Sequence, residues 1–232
     1  MSTLDPAGPS AQAIATVWWW MLAVAVVVLL GVVAVWLLAM RRGTTGNTAR
    51  EPHDTAHTSQ RWLVWGGLVL PSVSIAALVW FGAPAGLHQL PLPGQTAGQP
   101  APLEIEAIGH QWWWEVRYPG RGTVLRNEMR IPAGRPVDVV TGSADVIHSF
   151  WVPRLGGKLD AVPGRSFRVR LQAHAPGTYR GQCAEFCGVG HAHMSMTVIA
   201  MEAAAFDAWL AAAGPSSGET NTAPAPAEGA SR

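Results

Sequence analysis

Cys183 and Cys187 are the only two cysteines of the chain, and His191 and Met194 follow them in the same short segment. Thiolate, imidazole and thioether together form a soft donor set, the kind that selects copper over magnesium or calcium. A single blue-type copper takes one Cys, two His and a weak axial Met. With His193 read as a solvated loop residue, the segment holds one Cys more and one His fewer than that. The surplus thiolate points to two metals bridged by two sulfurs, with an imidazole brought from elsewhere. Two other readings stand beside it. Two cysteines in an oxidising compartment form a disulfide by default, and two Cys with two His also suit zinc, although a thioether is a poor zinc ligand.

The other histidines are His53, His57, His88, His110, His148, His174 and His193. His148 follows the apolar pair Val146-Ile147 and precedes Ser149-Phe150-Trp151, where a ligand at a buried strand end is reasonable. A core or capping histidine would look the same. His193 reads as a solvated loop residue.

These residues need a rigid scaffold, and the sequence from Leu103 supplies strands. Leu103, Ile105 and Ala107 alternate with Glu104 and Glu106, and Phe167, Val169 and Leu171 alternate with Arg168 and Arg170. Period-2 alternation marks half-buried strands. Pro119-Gly120, Pro132-Ala133-Gly134, Pro163-Gly164 and Pro176-Gly177 punctuate them as turns. About eight short strands predict an all-β Greek-key barrel or sandwich over residues 103–213. A short helix from about Ala203 to Ala213 closes it, with Phe206, Trp209 and Leu210 at helical spacing.

The first hundred residues differ in kind. Over all 232 residues the formal charge is +1 and the charged fraction 13%, against about 25% for soluble domains. No clustered basic face exists for nucleic acid. Residues 17–40 and 62–83 carry no ionisable side chain, and about 20 apolar residues cross a bilayer as a helix. The first run lacks the basic flank and short core of a cleavable signal. Pro71 predicts a kink in the second. The connector, 41–61, carries Arg41, Arg42, Arg50 and Arg61 against Glu51 and Asp54, which keeps the hairpin turn on the inner side. Residues 1–16 and everything after the second span then face outward. Residues 84–102 read as a linker and 214–232 as a disordered tail.

Asp145-Val146-Ile147-His148-Ser149-Phe150-Trp151-Val152-Pro153 and Cys183-Ala184-Glu185-Phe186-Cys187-Gly188-Val189-Gly190-His191-Ala192-His193-Met194 resemble the two halves of the copper A signature. That signature belongs to subunit II of cytochrome c oxidase. Gly109-His110-Gln111-Trp112 is similar to the family's aromatic segment, and Lys158 to Arg165 to another family stretch. The resemblance spans about residues 15–212 and implies a two-helix transmembrane hairpin plus a cupredoxin-like barrel.

It also implies roles. Cys183 and Cys187 bridge two coppers, with His148 and Met194 completing one, and His191 and the Glu185 backbone carbonyl the other. The Glu185 side chain turns to an interfacial magnesium, with Asp160 near it through water. Trp112 receives electrons from cytochrome c, and Gln111 and Asp145 lie in the docking face. Implied partners are oxidase subunits I and III, cytochrome c and membrane lipid. The implied location is a bacterial inner membrane, crossed more than once, with the β-domain on the periplasmic side.

Two departures matter. The stretch Ser59 to Trp65 has no carboxylate where many relatives carry one for proton uptake. No C-x-x-C-H motif exists, so covalent haem c is excluded and the donor is a separate protein. A nitric oxide reductase copper subunit and a membrane-tethered copper-delivery protein are the alternatives.

Overall fold

The computed structural model describes residues 3–43, 59–87, 89–92 and 102–214. Most of the connector, residues 93–101 of the linker and nearly all of the tail lie outside the described residues.

Helix α1 spans Pro9–Gly43, beginning eight residues before the apolar run. Proline suits a first helical turn, where its missing N–H is not needed. The Gln12 amide bonds the Gly8 carbonyl there at 2.9 Å. Ala11, Ala13 and Ala15 then favour helix without contributing the hydropathy that marks a span. The second helical stretch contains π-helical Leu63–Val69 followed by α2, Leu70–Leu87. Pro71 has no amide, and its ring clashes with a carbonyl four residues back. The chain meets this by widening the preceding turn, so the Leu70 N–H reaches Trp65 O, five residues back. Ser74 Oγ returns a bond to Leu70 O at 2.8 Å. Both helices are long and apolar enough to cross a membrane, and neither apolar window is buried against the rest of the chain. With the folded β-domain beyond them, they make this a membrane-anchored protein.

Among the described residues ten strands follow: β1 Leu103–His110, β2 Trp113–Tyr118, β3 Thr123–Arg126, β4 Glu128–Pro132, β5 Val137–Ser143, β6 His148–Trp151, β7 Leu159–Ala161, β8 Phe167–Leu171, β9 Gly177–Cys183 and β10 Ser195–Met201. Helix α3, Ala203–Ala212, closes the domain. The strands form two five-stranded sheets, ordered β3-β2-β1-β5-β8 and β4-β10-β9-β6-β7. The β1–β5 and β4–β10 pairs are parallel, and the other pairs antiparallel. This is the cupredoxin-like, all-β architecture expected, with two more strands.

Alternating residues such as Ile105, Val116, Ile131, Val139, Phe150 and Val198 fill the space between the sheets. Alternation misleads at one place. Phe167 lies on the edge strand β8 and is 37% exposed, while Val169 and Leu171 of that strand are buried.

Tyr118 ties the sheets together. Its hydroxyl donates to Arg130 O at 2.9 Å and accepts from Arg130 N at 2.7 Å, joining β2 to β4. Burial drives this phenol's pKa well above its usual value, so it stays a donor. Tyr118→Phe removes both bonds and should destabilise the chain by about 1 to 2 kcal/mol. The check is the midpoint of chemical unfolding of the detergent-solubilised protein. An unchanged midpoint would mean that other groups hold the sheets in register.

Candidate metal centre

β6 and β9 are neighbours, with Phe150 opposite Cys183. This pairing brings His148, at the start of β6, beside Cys183, at the end of β9, although 35 residues separate them. The loop from β9 to β10 carries Glu185, Cys187, His191 and Met194. Its neck is closed by Cys183 N–H to Met194 O and by Ala184 N–H to Ser149 O, each 2.9 Å. Within it, His191–His193 forms one 3-10 turn. β1 passes behind His148, where a Cβ on Gly109 would stand 2.6 Å from the ring's Cδ2. Only glycine leaves space for the imidazole.

The donors converge. Cys183 Sγ lies 3.8 Å from Cys187 Sγ, 3.8 Å from His148 Nδ1 and 3.2 Å from the Glu185 carbonyl oxygen. Cys187 Sγ lies 3.7 Å from His191 Nδ1 and 3.8 Å from Met194 Sδ. Each sulfur therefore has one imidazole against it. Donors held about 2.0–2.3 Å from a tetrahedral metal stand roughly 3.3–3.8 Å from one another, so the set fits metal ligation. His148, Cys183, Cys187 and Met194 are all buried. Both thiols are free, which removes the disulfide reading. Among the described residues, His148, Cys183 and Cys187 are the group of His, Cys, Asp or Glu able to hold a metal ion.

The electrostatics allow one thiolate and resist two. Burial opposes ionisation of Cys183, but His148, the Glu185 and Ser149 backbone and His191 overcome it and bring the thiol down to about 6. At Cys187 burial and then the neighbouring Cys183 charge push the thiol up to about 12. Burial also disfavours imidazolium at His148, yet bonds to Cys183 and Asp145 raise its pKa above the usual value.

Asp145 shapes this arrangement through His148. Its Oδ1 is 2.8 Å from His148 Nε2. A carboxylate only accepts, so in the neutral ring Nε2 keeps the proton and Nδ1 is left to face the sulfur. Its oxygens also accept from Val146 N at 2.6 Å and Gln111 N at 2.7 Å. Burial acts against the carboxylate, but these three bonds hold its pKa below normal. Position three before His148 was the available signal.

Gln111 and Trp112 are also closer to the centre than a docking face implies. Gln111 Nε2 and Trp112 Nε1 both donate to the Cys187 carbonyl, at 2.8 and 3.1 Å. Trp112 remains 39% exposed, and so links solvent to a buried donor. Asp160 lies on β7 opposite Ser149, and its carbonyl accepts from Thr141 Oγ1 at 2.9 Å. Glu185 approaches Cys183 through its carbonyl. His193 is exposed, as the sequence predicted, and His110 turns away to Glu115 and stacks on Trp113.

Metal uptake must displace the protons of Cys187 and His148, both held to higher pH than usual. Affinity for copper should therefore rise with pH across the range 6 to 8, with protons released on binding. Titration against a competing chelator at several pH values checks this. A pH-independent affinity would mean that these groups are not the ligands.

The family described as cytochrome c oxidase subunit II, periplasmic domain, matches residues 120–201. Cytochrome c oxidase subunit 2 of Alkalihalophilus pseudofirmus is 33% identical over 214 residues, which cover 90% of this chain and 61% of that protein. The subunit 2 of Albinaria caerulea is 31% identical over 196 residues, covering 75% of this chain and 83% of that one. A crystal structure of the periplasmic domain of subunit II of cytochrome oxidase of Bradyrhizobium japonicum aligns with a TM-score of 0.46 and 35% identity, over 48% of this chain and 92% of that one. Sequence identity sustained across most of the Albinaria protein agrees with the six donors found together at the end of the barrel: this chain belongs to the cytochrome c oxidase subunit II family.

Proposed function

We propose that this chain is the electron-input subunit of a haem-copper terminal oxidase. In this reading a dinuclear copper A centre is held by His148, Cys183, the Glu185 carbonyl, Cys187, His191 and Met194. The observation that carries it is the pair of buried sulfurs 3.8 Å apart, each faced by an imidazole Nδ1 at 3.7 to 3.8 Å. When bound, the copper pair supplies a one-electron couple between a cytochrome c and the haem of subunit I, where oxygen is reduced to water.

The chain's residues do the rest. Asp145 fixes the His148 tautomer and ring plane. Gln111 and Trp112 hold the Cys187 carbonyl and with it the loop. Phe150 and Trp114 pack edge-to-face beside His148 and exclude water. Trp112, half exposed over a ligand's backbone, is the point where electrons arrive. Glu185 and Asp160 are assigned to a magnesium ion at the interface with subunit I. The basic connector supports an outward, periplasmic β-domain on a bacterial inner membrane, with subunit III and lipid as further neighbours.

Electron paramagnetic resonance of the copper-loaded protein tests this reading. Delocalisation over two equivalent coppers is expected. A silent single Cu(I) that exchanges with chelators would instead make the chain a copper-delivery protein. Cys187→Ser should remove the purple mixed-valence absorption and leave the barrel folded, since no disulfide depends on it. Unfolding of that variant would point to structural zinc.

Association with cytochrome c should depend only modestly on salt. Acids on this domain are engaged internally: Glu104 with Arg168, Glu115 with Arg117, Asp138 with Arg170 and Asp145 with His148. Few remain to steer a basic partner over a Debye length of about 8 Å at physiological salt. Turnover should fall less than about tenfold between low and physiological ionic strength. A steeper fall would place a strongly acidic face on this subunit.

A further inference from the structure

The residues before the first membrane span are bonded into the β-domain. Ala7 N–H donates to Arg154 O at 2.7 Å, and Ala7 O accepts from His174 N–H at 2.8 Å. Ala7 thus bridges the loop after β6 and the loop after β8. Arg154 Nε donates to Asp5 O at 2.9 Å, and its guanidinium pairs with the Asp5 carboxylate at 2.7 Å. Ser10, Ala11 and Ala15 are buried. Gly8 is pressed so closely that a Cβ there would stand 2.2 Å from Gln172 O and 2.9 Å from Leu155 O. Both obstacles are backbone and cannot swing away.

The residues after the second span reach the same region. Gln89 Oε1 accepts from Gly157 N–H at 2.8 Å, and Gln89 O accepts from Arg170 N–H at 2.9 Å. The second bond pairs with the open edge of β8. A Cβ on Gly156 would lie 3.6 Å from Ser10 Cβ and 3.8 Å from Gln89 Oε1, so the two attachments flank the same glycine. Pro153–Gly157, where they meet, directly continues β6, the strand that begins with His148.

We propose that Asp5 to Ala11 and Gln89 form a two-point mount, clamping the Pro153–Gly157 loop and setting where the metal-bearing barrel stands on its membrane helices. These are positioning residues, since none touches a metal donor. A barrel on one flexible linker would sample many orientations. Two attachments from opposite ends of a helical hairpin remove that freedom. The mount does not depend on which metal is bound; its effect on electron transfer rests on the copper reading above.

The test uses the full chain assembled in its membrane complex, comparing wild type with Gly8→Val, with Gln89→Ala, and with the double variant. A further pairing, Asp5→Ala with Gln89→Ala, adds no bulk and covers the case in which Gly8→Val fails to assemble. Hydrogen exchange is read at the amides of Ala7, His174, Gly157 and Arg170. Copper absorption and paramagnetic spectra are recorded on the same samples, together with the flash-initiated rates of copper reduction by cytochrome c and of haem reduction. The double variants should exchange at least tenfold faster at these four amides, with the spectra and the first rate unchanged and the second rate several-fold slower. Unchanged protection in the double variants overturns the mount. Altered spectra overturn it too, because the segment would then act on the folding of the metal site. If the wild type itself gives no two-copper spectrum, the functional reading falls, and the exchange data alone decide the mount.

Discussion

Two sulfur atoms 3.8 Å apart in a buried pocket cannot both be charged without a cation beside them. The rest of the site follows from that constraint. One proton leaves readily because His148 and nearby backbone support a thiolate at Cys183, while Cys187 then keeps its proton because burial and that neighbouring charge both oppose a second thiolate. A bound cation inverts this balance, making the second thiolate favourable where it was opposed. The donor atoms stand at ligand spacing, and ligation there exchanges their protons for the cation.

Holding six donors at that spacing needs support from outside the loop that carries most of them. His148 is positioned by strand pairing and by the space over Gly109. The loop is tied at its neck by two backbone bonds to β6 and Met194, and at its middle by Gln111 and Trp112 on the Cys187 carbonyl. Asp145 joins these supports, taking the Gln111 amide on one oxygen and the His148 ring on the other. Displacing any one of them disturbs its neighbours, so the donors move together or not at all. For the electron relay proposed above, that rigidity is an advantage, because rearrangement between oxidation states adds to the barrier.

How far this was readable from sequence depends on separation along the chain. Cys183, Cys187, His191 and Met194 lie in one segment, and their types and spacing declare soft-metal chemistry directly. The strands from Leu103 show their period because each has one buried face, and it fails at Phe167, where edge exposure overrides alternation. Parallel pairing of β1 with β5 and β4 with β10 has no local signal, since it depends on the order in which distant strands assemble. The Gln111 bond to Cys187 spans 76 positions and is equally silent. Hydropathy marked the two long apolar helices yet missed the start of α1 at Pro9, because an alanine-rich turn against a protein surface needs no lipid-like composition.

That last difference changes how the molecule is put together. Composition divides the chain into a leader, a hairpin, a linker and a barrel, as if each were attached to the next by one covalent joint. The Asp5–Arg154 pair, the bonds of Ala7 and the Gln89 contacts close a ring instead: barrel to α1, α1 to α2 through the connector, and α2 back to the barrel. Closing a ring with two short segments removes orientational freedom that one linker would leave. The mounting point is also close in sequence to the site, since His148 and Gly157 are the two ends of β6 and its continuing loop. Buried Phe150, Val152 and Leu155 between them keep that path within the close-packed interior, which transmits displacement rather than absorbing it. The geometry of the metal donors and the stance of the barrel on the membrane are thus set through one stretch of chain.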